Sequence, residues 1–425
     1  MLAAAPAESL VGHYGRLGAM GRHHEVVETR GHLVDSHVME KMFDTILSRD
    51  GAFEVEEFQI GRTNVDESYM RMRVEAPSEE AMAALVEALI DMGCGTIHGD
   101  DATLRTAERD CCAPLDFYST TNHRTQVRLA GKWVDVARQR MDAAIVVAPD
   151  GGAYCSRLRD LHASDQVVCG HDGIRVLPES KERNRLAFAF MSQGVSSERQ
   201  VETAVKQTAA LIRQNKQEGK RVLVVAGPVV VHTGAQTALA SLIRRGFIDA
   251  ILAGNALGVH DAEAALLGTS LGIRLADGRQ AEHGHRNHMR AINTIYHAGG
   301  IRQAVENGSI NSGIFYECIK NDVPFVLAGS LRDDGPLPDT VTDMNDAQDA
   351  YAAQLVGAGL VVCLGSMLHS IATGNMMPSW VKLICVDINP AVVTKVSDRG
   401  TGQAIGVVTD VGLFLHLLDR ALSQS

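Results

Sequence analysis

The stretch from Arg221 to Glu263 reads RVLVVAGPVVVHTGAQTALASLIRRGFIDAILAGNALGVHDAE, and it decides the fold of this chain. RVLVVAGP is a β-branched apolar run that ends at Gly227-Pro228, as expected of a strand buried on both faces. An amphipathic segment with helical spacing opens at Gly234-Ala235, and a second apolar run, FIDAILAG, follows it. A strand, a helix and a strand joined by short loops predict a parallel βαβ unit.

The same pattern continues to the C-terminus. Apolar runs that each end in a glycine or an acid predict five or six buried parallel strands: RVLVVAG, FIDAILAG, VPFVLAG, LVVCLGS, KLICVDI and AIGVVTD. Helical segments separate most of these runs. Residues 196–425 are therefore predicted to form a Rossmann-like, doubly wound α/β domain with a parallel sheet.

The first 195 residues show other patterns. Residues 23–110 follow the order β-α-β-β-α-β of a ferredoxin-like α+β domain, with Ser78 predicted to cap its second helix. Residues 111–195 contain short β-like runs punctuated by Gly, Pro and Asp, which predict a small β-rich middle domain. These runs are TQVRLAGKWVDV, DAAIVVAP, DQVVCG, GIRVLP and LAFAFM. Residues 1–22 are expected to be a tail.

Composition argues against several classes of protein. The net charge of −11 argues against a nucleic-acid partner, which would require a basic face. No apolar run approaches the roughly 20 residues of a membrane span, and MLAAAPAESL lacks the basic segment of a signal peptide. The eight cysteines include no CxxC pair, and Cys111 and Cys112 are adjacent, so neither a disulfide framework nor a zinc ribbon is indicated. We expect a cytoplasmic enzyme with reduced thiols.

Polar side chains cluster after the predicted strands. His232, Thr233, Asn255, His260 and Asp261 all follow a strand of the opening βαβ unit. In parallel α/β sheets, ligands bind outside the carboxyl ends of the strands. The sequence therefore predicts the functional site at this edge.

Two later strand ends suggest a dinucleotide. Asp387 ends the strand in KLICVDINP, where an acid can accept both ribose hydroxyls of an adenosine and repel a 2′-phosphate, which favours NAD. The turn in VCLGSMLH offers backbone amides for a diphosphate. No GxGxxG follows any strand, however, and strand-end acids are also ordinary helix caps. Both interpretations stay open on the residues alone.

A charged cluster follows another strand in LAGSLRDDGPLPD. Arg332 is followed by Asp333 and Asp334, and adjacent carboxylates can bind an ammonium group or shift each other's pKa for proton transfer. The alternative is an Asx-turn that leads to Gly335-Pro336. Because the cluster lies at the predicted ligand edge, a functional role is favoured.

The segment EHGHRNHMR and the neighbourhood of Lys320 give weaker signals. Three histidines suggest a metal site, but carboxylate or cysteine partners at a recognised spacing are missing, so no metal is predicted. Arg286 fits better as a clamp for a carboxylate. Lys320 is either a Schiff-base lysine or a solvated surface residue.

Eight segments together resemble the archaeal-type ornithine cyclodeaminases and the C-terminal part of the cyanobacterial bifunctional arginine dihydrolase/ornithine cyclodeaminases, whose module is called LOR/SDH. The segments are DFYSTTNHRTQVRL, GHDGIRV, VAGPVVVHTGA, LAGNALGVHDAE, GHRNHMRAINT, YECIKNDVPFVLAGSLRDDGPLPD, MLHSIATGN and CVDINPAVVTKVSDRG. The resemblance spans roughly Glu25 to Leu418. The arginine dihydrolase half is missing from this chain, so arginine hydrolysis is not expected.

The resemblance implies a lyase of arginine/ornithine metabolism and proline biosynthesis that converts L-ornithine to L-proline and ammonia with recycled NAD. In that reaction, NAD takes a hydride from the α-carbon of ornithine, the δ-amine attacks the resulting imine, ammonia leaves, and the hydride returns. The resemblance places NAD on residues at strand ends: Asn255, Ala256, Asp333, Ser366, Met367, Leu368, His369, Asp387, Asp410 and Val411.

Catalytic roles are assigned from residue type and position. Arg286 is predicted to bind the substrate carboxylate and Asp334 the δ-ammonium, with Lys320 or His232 as proton carrier. We also expect a homo-oligomer without a membrane partner. Two alternatives remain: an NAD-dependent amino-acid dehydrogenase of the saccharopine/lysine-oxoglutarate type, and a ligand-sensing binding protein without turnover.

Overall fold

The computed structural model describes residues 23–31, 33, 38–61, 66, 68–96, 100–177, 197–281, 284–333, 335–399 and 404–423. The chain divides after His98 into two compact units. The predicted tail, the predicted strand LAFAFM and the predicted boundary at residue 195 lie outside the described residues.

The first unit has the predicted ferredoxin-like order. Its elements are β1 (His23–Gly31), α1 (Val38–Ser48), β2 (Ala52–Gln59), β3 (Ser68–Ala76), α2 (Glu79–Asp91) and β4 (Cys94–Thr96). The strands pair antiparallel in the order β2-β3-β1-β4. Ser78 caps α2 as predicted, since its side chain accepts a hydrogen bond from the amide of Ala81.

A second sheet opens the other unit. It contains β5 (Thr103–Thr106), β6 (Arg124–Leu129), β7 (Lys132–Ala137), β8 (Ala144–Val147), β9 (Ala153–Ser156), β10 (Gln166–Cys169) and β11 (Ile174–Leu177). Its seven strands run in the order β11-β6-β7-β9-β8-β10-β5, and only β7 and β9 pair parallel. The domain limits at 110 and 195 stay predictions. A strand before the first limit, β5, pairs with β10 of this sheet.

The rest of the chain alternates helices and strands. The elements are α3 (Ser197–Gln217), β12 (Arg221–Ala226), α4 (Val229–His232), α5 (Gln236–Arg244), β13 (Ala250–Gly254), α6 (Asn255–Leu267), β14 (Thr269–Ser270), β15 (Ile273–Arg274), α7 (Asn287–Ala298), α8 (Ile301–Glu306), α9 (Ile314–Lys320), β16 (Phe325–Ala328), β17 (Thr340–Val341), α10 (Met344–Gln354), β18 (Ala358–Leu364), α11 (Met367–Met376), β19 (Lys382–Asp387), α12 (Pro390–Arg399), β20 (Ala404–Val408) and α13 (Val411–Ser423). A 3-10 turn, Gly284–Arg286, leads into α7.

All six predicted strands join one parallel sheet, which confirms the Rossmann-like prediction. The order is β17-β16-β13-β12-β18-β19-β20, with β17 as a short additional edge strand. Apolar side chains fill both faces of the sheet and form separate cores with the helices on each side. Among the described residues, no helix combines the length and the apolar character that a membrane span needs.

The segment after β13 is helical. His260 and Asp261 were predicted to follow a strand, and α6 begins directly at Asn255 and contains both residues. Gly254 takes the extended backbone of a helix N-cap, and the following residues include good helix formers. His232 likewise ends a short helix, α4, whose N-cap is Pro228.

Candidate active site

The site forms where the strand order reverses. β12 lies between β13 and β18, and the chain proceeds from it to β13 on one side and returns at β18 on the other. Such a switch point leaves a crevice at the carboxyl ends of the strands. The two turns that follow β12 and β18 pack tightly, because a Cβ atom at Gly227 would clash with the carbonyl oxygen of Gly365.

The turn after β18 is held in one conformation. Gly365 has a φ of +59°, which favours glycine, and a Cβ there would clash with Val229 of α4. Ser366 Oγ lies 2.9 Å from His369 Nδ1. Burial lowers the pKa of His369, although the charge of Asp333 opposes this shift. The ring of His369 is half-buried at this turn.

The helix that follows this turn offers its N-terminus. Ser366 is the N-cap of α11, but its side chain accepts no hydrogen bond from the amides of the first turn. A helix N-terminus with open amides favours an anion such as phosphate. The predicted cofactor residues Met367, Leu368 and His369 form this first turn.

The start of α6 lies beside that turn. A Cβ atom at Gly254 would be 2.9 Å from Cε1 of His369, so the ring of His369 on α11 packs against the end of β13. Asn255 is buried, and its Oδ1 accepts hydrogen bonds from the amide of Leu337 (3.0 Å) and from Thr340 Oγ1 (2.9 Å). Asn255 therefore joins the end of β13 to the start of β17, while Ala256 follows in the first turn of α6.

The three predicted cofactor acids lie at the same edge, and each has a local structural contact. Asp333 Oδ2 accepts from the amide of Ser330 at 2.7 Å. Asp387 Oδ1 accepts from the amide of Asn389, and Asp410 Oδ1 from the amide of Leu413 at the start of α13, both at 2.8 Å. Within the described part of the chain, the second oxygens of Asp387 and Asp410 have no protein donor. The turns of Asp387 and Asp410 thus each present a fixed carboxylate oxygen to the edge.

His232 belongs to a cluster of polar side chains on the α4 and α6 side. Its Nδ1 lies 2.7 Å from Ser270 Oγ, and its ring contacts that of His260 edge to face, with centroids 4.7 Å apart. His260 Nδ1 lies 3.1 Å from Glu263 Oε2. Burial, together with the neighbouring His260, lowers the pKa of His232 to about 4. The ring is therefore neutral near pH 7.

Arg286 lies next to this cluster, at the start of α7. The adjacent Asn287 donates from Nδ2 to Thr269 Oγ1 at 2.9 Å, and Thr269 donates in turn to Glu263. This contact fixes the start of α7 against the loop after α6. Arg286 is exposed. Among the described residues, no group of three His, Cys, Asp or Glu side chains is arranged to hold a metal ion.

Two other sequence candidates do not join the site, and a third lies outside the described residues. Lys320 is exposed and ends α9, and the turn after it leads to the amino end of β16, which is the opposite edge of the sheet. Asp261 is buried and accepts hydrogen bonds from the amides of Ile314 and Phe315 at the start of α9. It lines a separate cavity of about 500 Å³ between α5, α6 and α9. Asp334 lies outside the described residues.

Sequence reasoning missed Glu263 and Ser270. Glu263 is fully buried, yet in the sequence it is one polar residue of a helical segment. Ser270 belongs to a two-stranded hairpin that packs against α6 and α7. The one available signal was the polar pair Thr269-Ser270 directly after the helix-ending Gly268, which has a φ of +64°.

The donor set fits a dinucleotide. The edge combines an open helix N-terminus for a diphosphate with fixed carboxylates that can accept ribose hydroxyls. The tight contact between Gly227 and Gly365 brings two strand ends together without intervening side chains. A ligand can therefore approach the backbone closely at this point.

Family models match consecutive parts of the chain. Residues 24–123 match the LOR/SDH bifunctional enzyme conserved region. Residues 124–205 match the first region of the C-terminal part of arginine dihydrolase ArgZ-like proteins, and residues 206–418 match the Rossmann fold of that part.

Individual relatives agree with these matches. Ornithine cyclodeaminase from Methanocaldococcus jannaschii is 48% identical over 405 residues, which cover 94% of this chain and 96% of the relative. The apo crystal structure of ArgZ, a cyanobacterial arginine dihydrolase, superposes with a TM-score of 0.83 at 43% identity, covering 96% of this chain and 59% of ArgZ. The ternary complex of AgrE, from Nostoc, with ornithine and NAD⁺ gives a TM-score of 0.52 at 46% identity, covering 95% and 58%. The chain belongs to the ornithine cyclodeaminase family, which joins the archaeal enzymes and the C-terminal part of the ArgZ-like proteins.

Proposed function

We propose that this protein is an ornithine cyclodeaminase that converts L-ornithine to L-proline and ammonia with bound NAD. The observation that carries the proposal is the 48% identity to an archaeal ornithine cyclodeaminase over 94% of this chain. The crevice at the switch point supports it independently, because its amide donors and carboxylate acceptors suit a dinucleotide.

The cofactor contacts are proposed at the strand ends. The first turn of α11, with Ser366, is assigned to the diphosphate, because its amides are open. Asp387 is assigned to a ribose, and its charge disfavours the 2′-phosphate of NADP. The remaining proposed contacts are Asn255, Ala256, Asp333, Asp410 and Val411. When bound, NAD supplies an acceptor that takes a hydride from the α-carbon of ornithine and later returns it.

The substrate contacts are proposed on the side of α4, α6 and α7. Arg286 is assigned to the carboxylate of ornithine, since a guanidinium can bind both of its oxygens. Asp334 stays our candidate for the δ-ammonium. His232 is neutral near pH 7 and can accept a proton. Lys320 is left out of the proposed mechanism because it lies at the opposite edge of the sheet.

The proposal also covers the cellular compartment and the oligomeric state of the protein. All eight cysteines are free thiols, which supports a reducing compartment, and we propose the cytoplasm. We also propose a homo-oligomer, which light scattering of the purified protein would test.

Product analysis of uniformly ¹³C- and ¹⁵N-labelled ornithine tests the function. The purified protein with NAD should yield one labelled proline and one labelled ammonia per ornithine, without a net rise in absorbance at 340 nm. The matched LOR/SDH region raises a dehydrogenase as the second candidate. A labelled oxo acid with stoichiometric reduction of NAD would identify that activity and contradict the cyclodeaminase.

A further inference from the structure

Three polar side chains, those of Ser270, His260 and Glu263, surround the ring of His232 or connect to it. We propose that Ser270, His260 and Glu263 are positioning residues, which hold the ring of His232 so that its Nε2 exchanges protons with the amino groups of the substrate. The inference rests on the proposed function, because it assigns a role in that reaction to residues around the same site.

Ser270 fixes the orientation of the ring. Its Oγ lies 2.7 Å from Nδ1 of His232, and Ser270 itself is 3% exposed. This contact occupies one of the two ring nitrogens. When Nδ1–H donates to Ser270 Oγ, the lone pair of Nε2 is the one that can accept a proton.

Glu263 anchors the cluster as a fixed anion. It is 0% exposed, and its carboxylate accepts from Thr269 Oγ1 (2.8 Å) and from the amides of Leu271 (3.2 Å) and Gly272 (3.0 Å). Burial alone would raise the pKa of Glu263, but the hydrogen bonds from His260, Gly272 and Thr269 outweigh it and lower that pKa. A buried carboxylate with this many donors stays ionised and does not move.

His260 connects the anion to the reacting ring. Its Nδ1 lies 3.1 Å from Glu263 Oε2, which fixes the ring plane, and its side chain is 12% exposed. The two imidazoles meet at an interplanar angle of 70°. His260 therefore limits rotation of His232. Burial and His260 lower the pKa of His232, and the charge of Glu263 opposes this shift.

The cluster lies against the proposed cofactor turns. α4, which carries His232, packs through Val229 against Gly365, and a Cβ at Gly365 would also come within 3.4 Å of Val411. Thr233, the next residue after His232, packs against Gly412 at the start of α13, since a Cβ there would be 2.9 Å from Thr233 Oγ1. The ring of His232 is thus attached to an element that contacts two of the proposed NAD segments.

The proposed step conserves charge and atoms. Nε2 of His232 accepts a proton from an ammonium group of ornithine, which leaves a neutral amine with its lone pair and an imidazolium. The imidazolium later returns this proton to the amino group whose C–N bond breaks, so that the nitrogen leaves with the bonding electron pair as ammonia. Ser270 and His260 exchange no proton with the substrate.

A double-mutant cycle tests whether Ser270 acts through His232. Ser270→Ala and His260→Phe should each lower kcat about ten- to a hundred-fold, while the KM for ornithine and the Kd for NAD change less than about two-fold. Ser270→Thr, which keeps the hydroxyl, should restore most of the loss. The Ser270→Ala change should cost nothing further in a His232→Phe background.

Ser241→Ala is the matched control, because Ser241 is a serine on α5 whose Oγ donates to Asp419 at 2.8 Å. It should keep wild-type kcat. If Ser270→Ala lowers kcat as much in the His232→Phe background as in the wild-type protein, Ser270 does not act through His232, and the positioning role is wrong.

A spectroscopic measurement keeps the inference testable if ornithine is not the substrate. With ¹⁵N-labelled histidine, the His232 side chain of the wild-type protein should show one dominant tautomer with a protonated Nδ1. Ser270→Ala should shift it toward a mixture of tautomers. If the ¹⁵N chemical shifts of His232 are the same in Ser270→Ala as in the wild-type protein, the inference is overturned. If the shifts change as expected but no proline is formed, only the proposed function is overturned.

Discussion

At the scale of the residue, the geometry of Asp387 and Asp410 is compatible with both interpretations, helix cap and ribose contact. Each uses one carboxylate oxygen to fix the turn after its strand, at 2.8 Å from a backbone amide. The amide holds the carboxylate in one orientation, so the other oxygen points to a defined position. A structural cap and a ribose contact are therefore compatible in the same side chain.

Replacing Asp387 should separate NAD from NADP. Asp387→Ala should raise the Kd for NAD about ten- to a hundred-fold, since a hydrogen bond to a charged group is worth about 1.5–3 kcal/mol. The Kd for NADP should rise less or fall, because the repulsion of its 2′-phosphate is gone. Titration calorimetry with both nucleotides measures the two constants.

Asp343→Ala is the control for this variant, since Asp343 caps α10 in the same way through the amides of Asn345 and Asp346. Its NAD affinity should stay unchanged. An unaltered Kd for NAD in Asp387→Ala would remove Asp387 from the ribose site.

His232 should make stability depend on pH. Its pKa is about 4 in the folded protein and about 6.5 in an unfolded chain, so the unfolded state binds the proton more tightly. The stabilisation of the fold that comes from a neutral His232 is complete above pH 6.5 and is lost as the pH falls toward 4. In His232→Gln, the free energy of unfolding should fall less steeply between pH 6.5 and 4.5, by up to about 1.4 kcal/mol per pH unit.

Urea unfolding at several pH values measures this slope. The control is His416→Gln, because His416 is exposed on α13. Equal slopes for wild type and His232→Gln would show that His232 is not held neutral by the fold.

At the scale of the element, the parallel strands could be predicted because each is an apolar run with a defined end. β18 is buried along its whole length, and the sequence LVVCLG shows this directly. The positions of α4 and α6 could not be predicted in the same way. Val229–His232 begins with three β-branched residues, which disfavour a helix, yet it is helical and packs over Gly365 in the fold.

Gly227→Ala tests the close contact between the turns after β12 and β18. The added methyl would clash with the Gly365 carbonyl oxygen, so the variant should lose about 2 kcal/mol of unfolding free energy. It should also bind NAD more weakly, because the two turns must separate.

Gly246→Ala serves for comparison, since Gly246 has a φ of +73° but open space around it. This variant should lose only about 1 kcal/mol and keep its NAD affinity. Equal NAD affinities in the two variants would contradict the importance of the Gly227 contact.

At the scale of the whole molecule, the sequence indicated the residues at the strand ends better than the contacts around His232. Strand-end positions such as Asp387 could be read from where an apolar run stops. The arrangement of His232, Glu263 and Ser270 depends on how α4, α6 and the β14–β15 hairpin pack. No local pattern encodes that packing. Lys320 was a candidate because of its residue type, but the topology places it at the opposite edge of the sheet.

Ornithine deuterated at the α-carbon tests the central claim most directly. If NAD is recycled within one turnover, the deuterium that leaves the α-carbon returns to the same carbon, and the proline product carries it at C2. Mass spectrometry of the product, with absorbance at 340 nm followed in parallel, should therefore show retained deuterium and no net reduction of NAD. Proline without deuterium, or deuterium accumulating in the nicotinamide ring, would contradict the account.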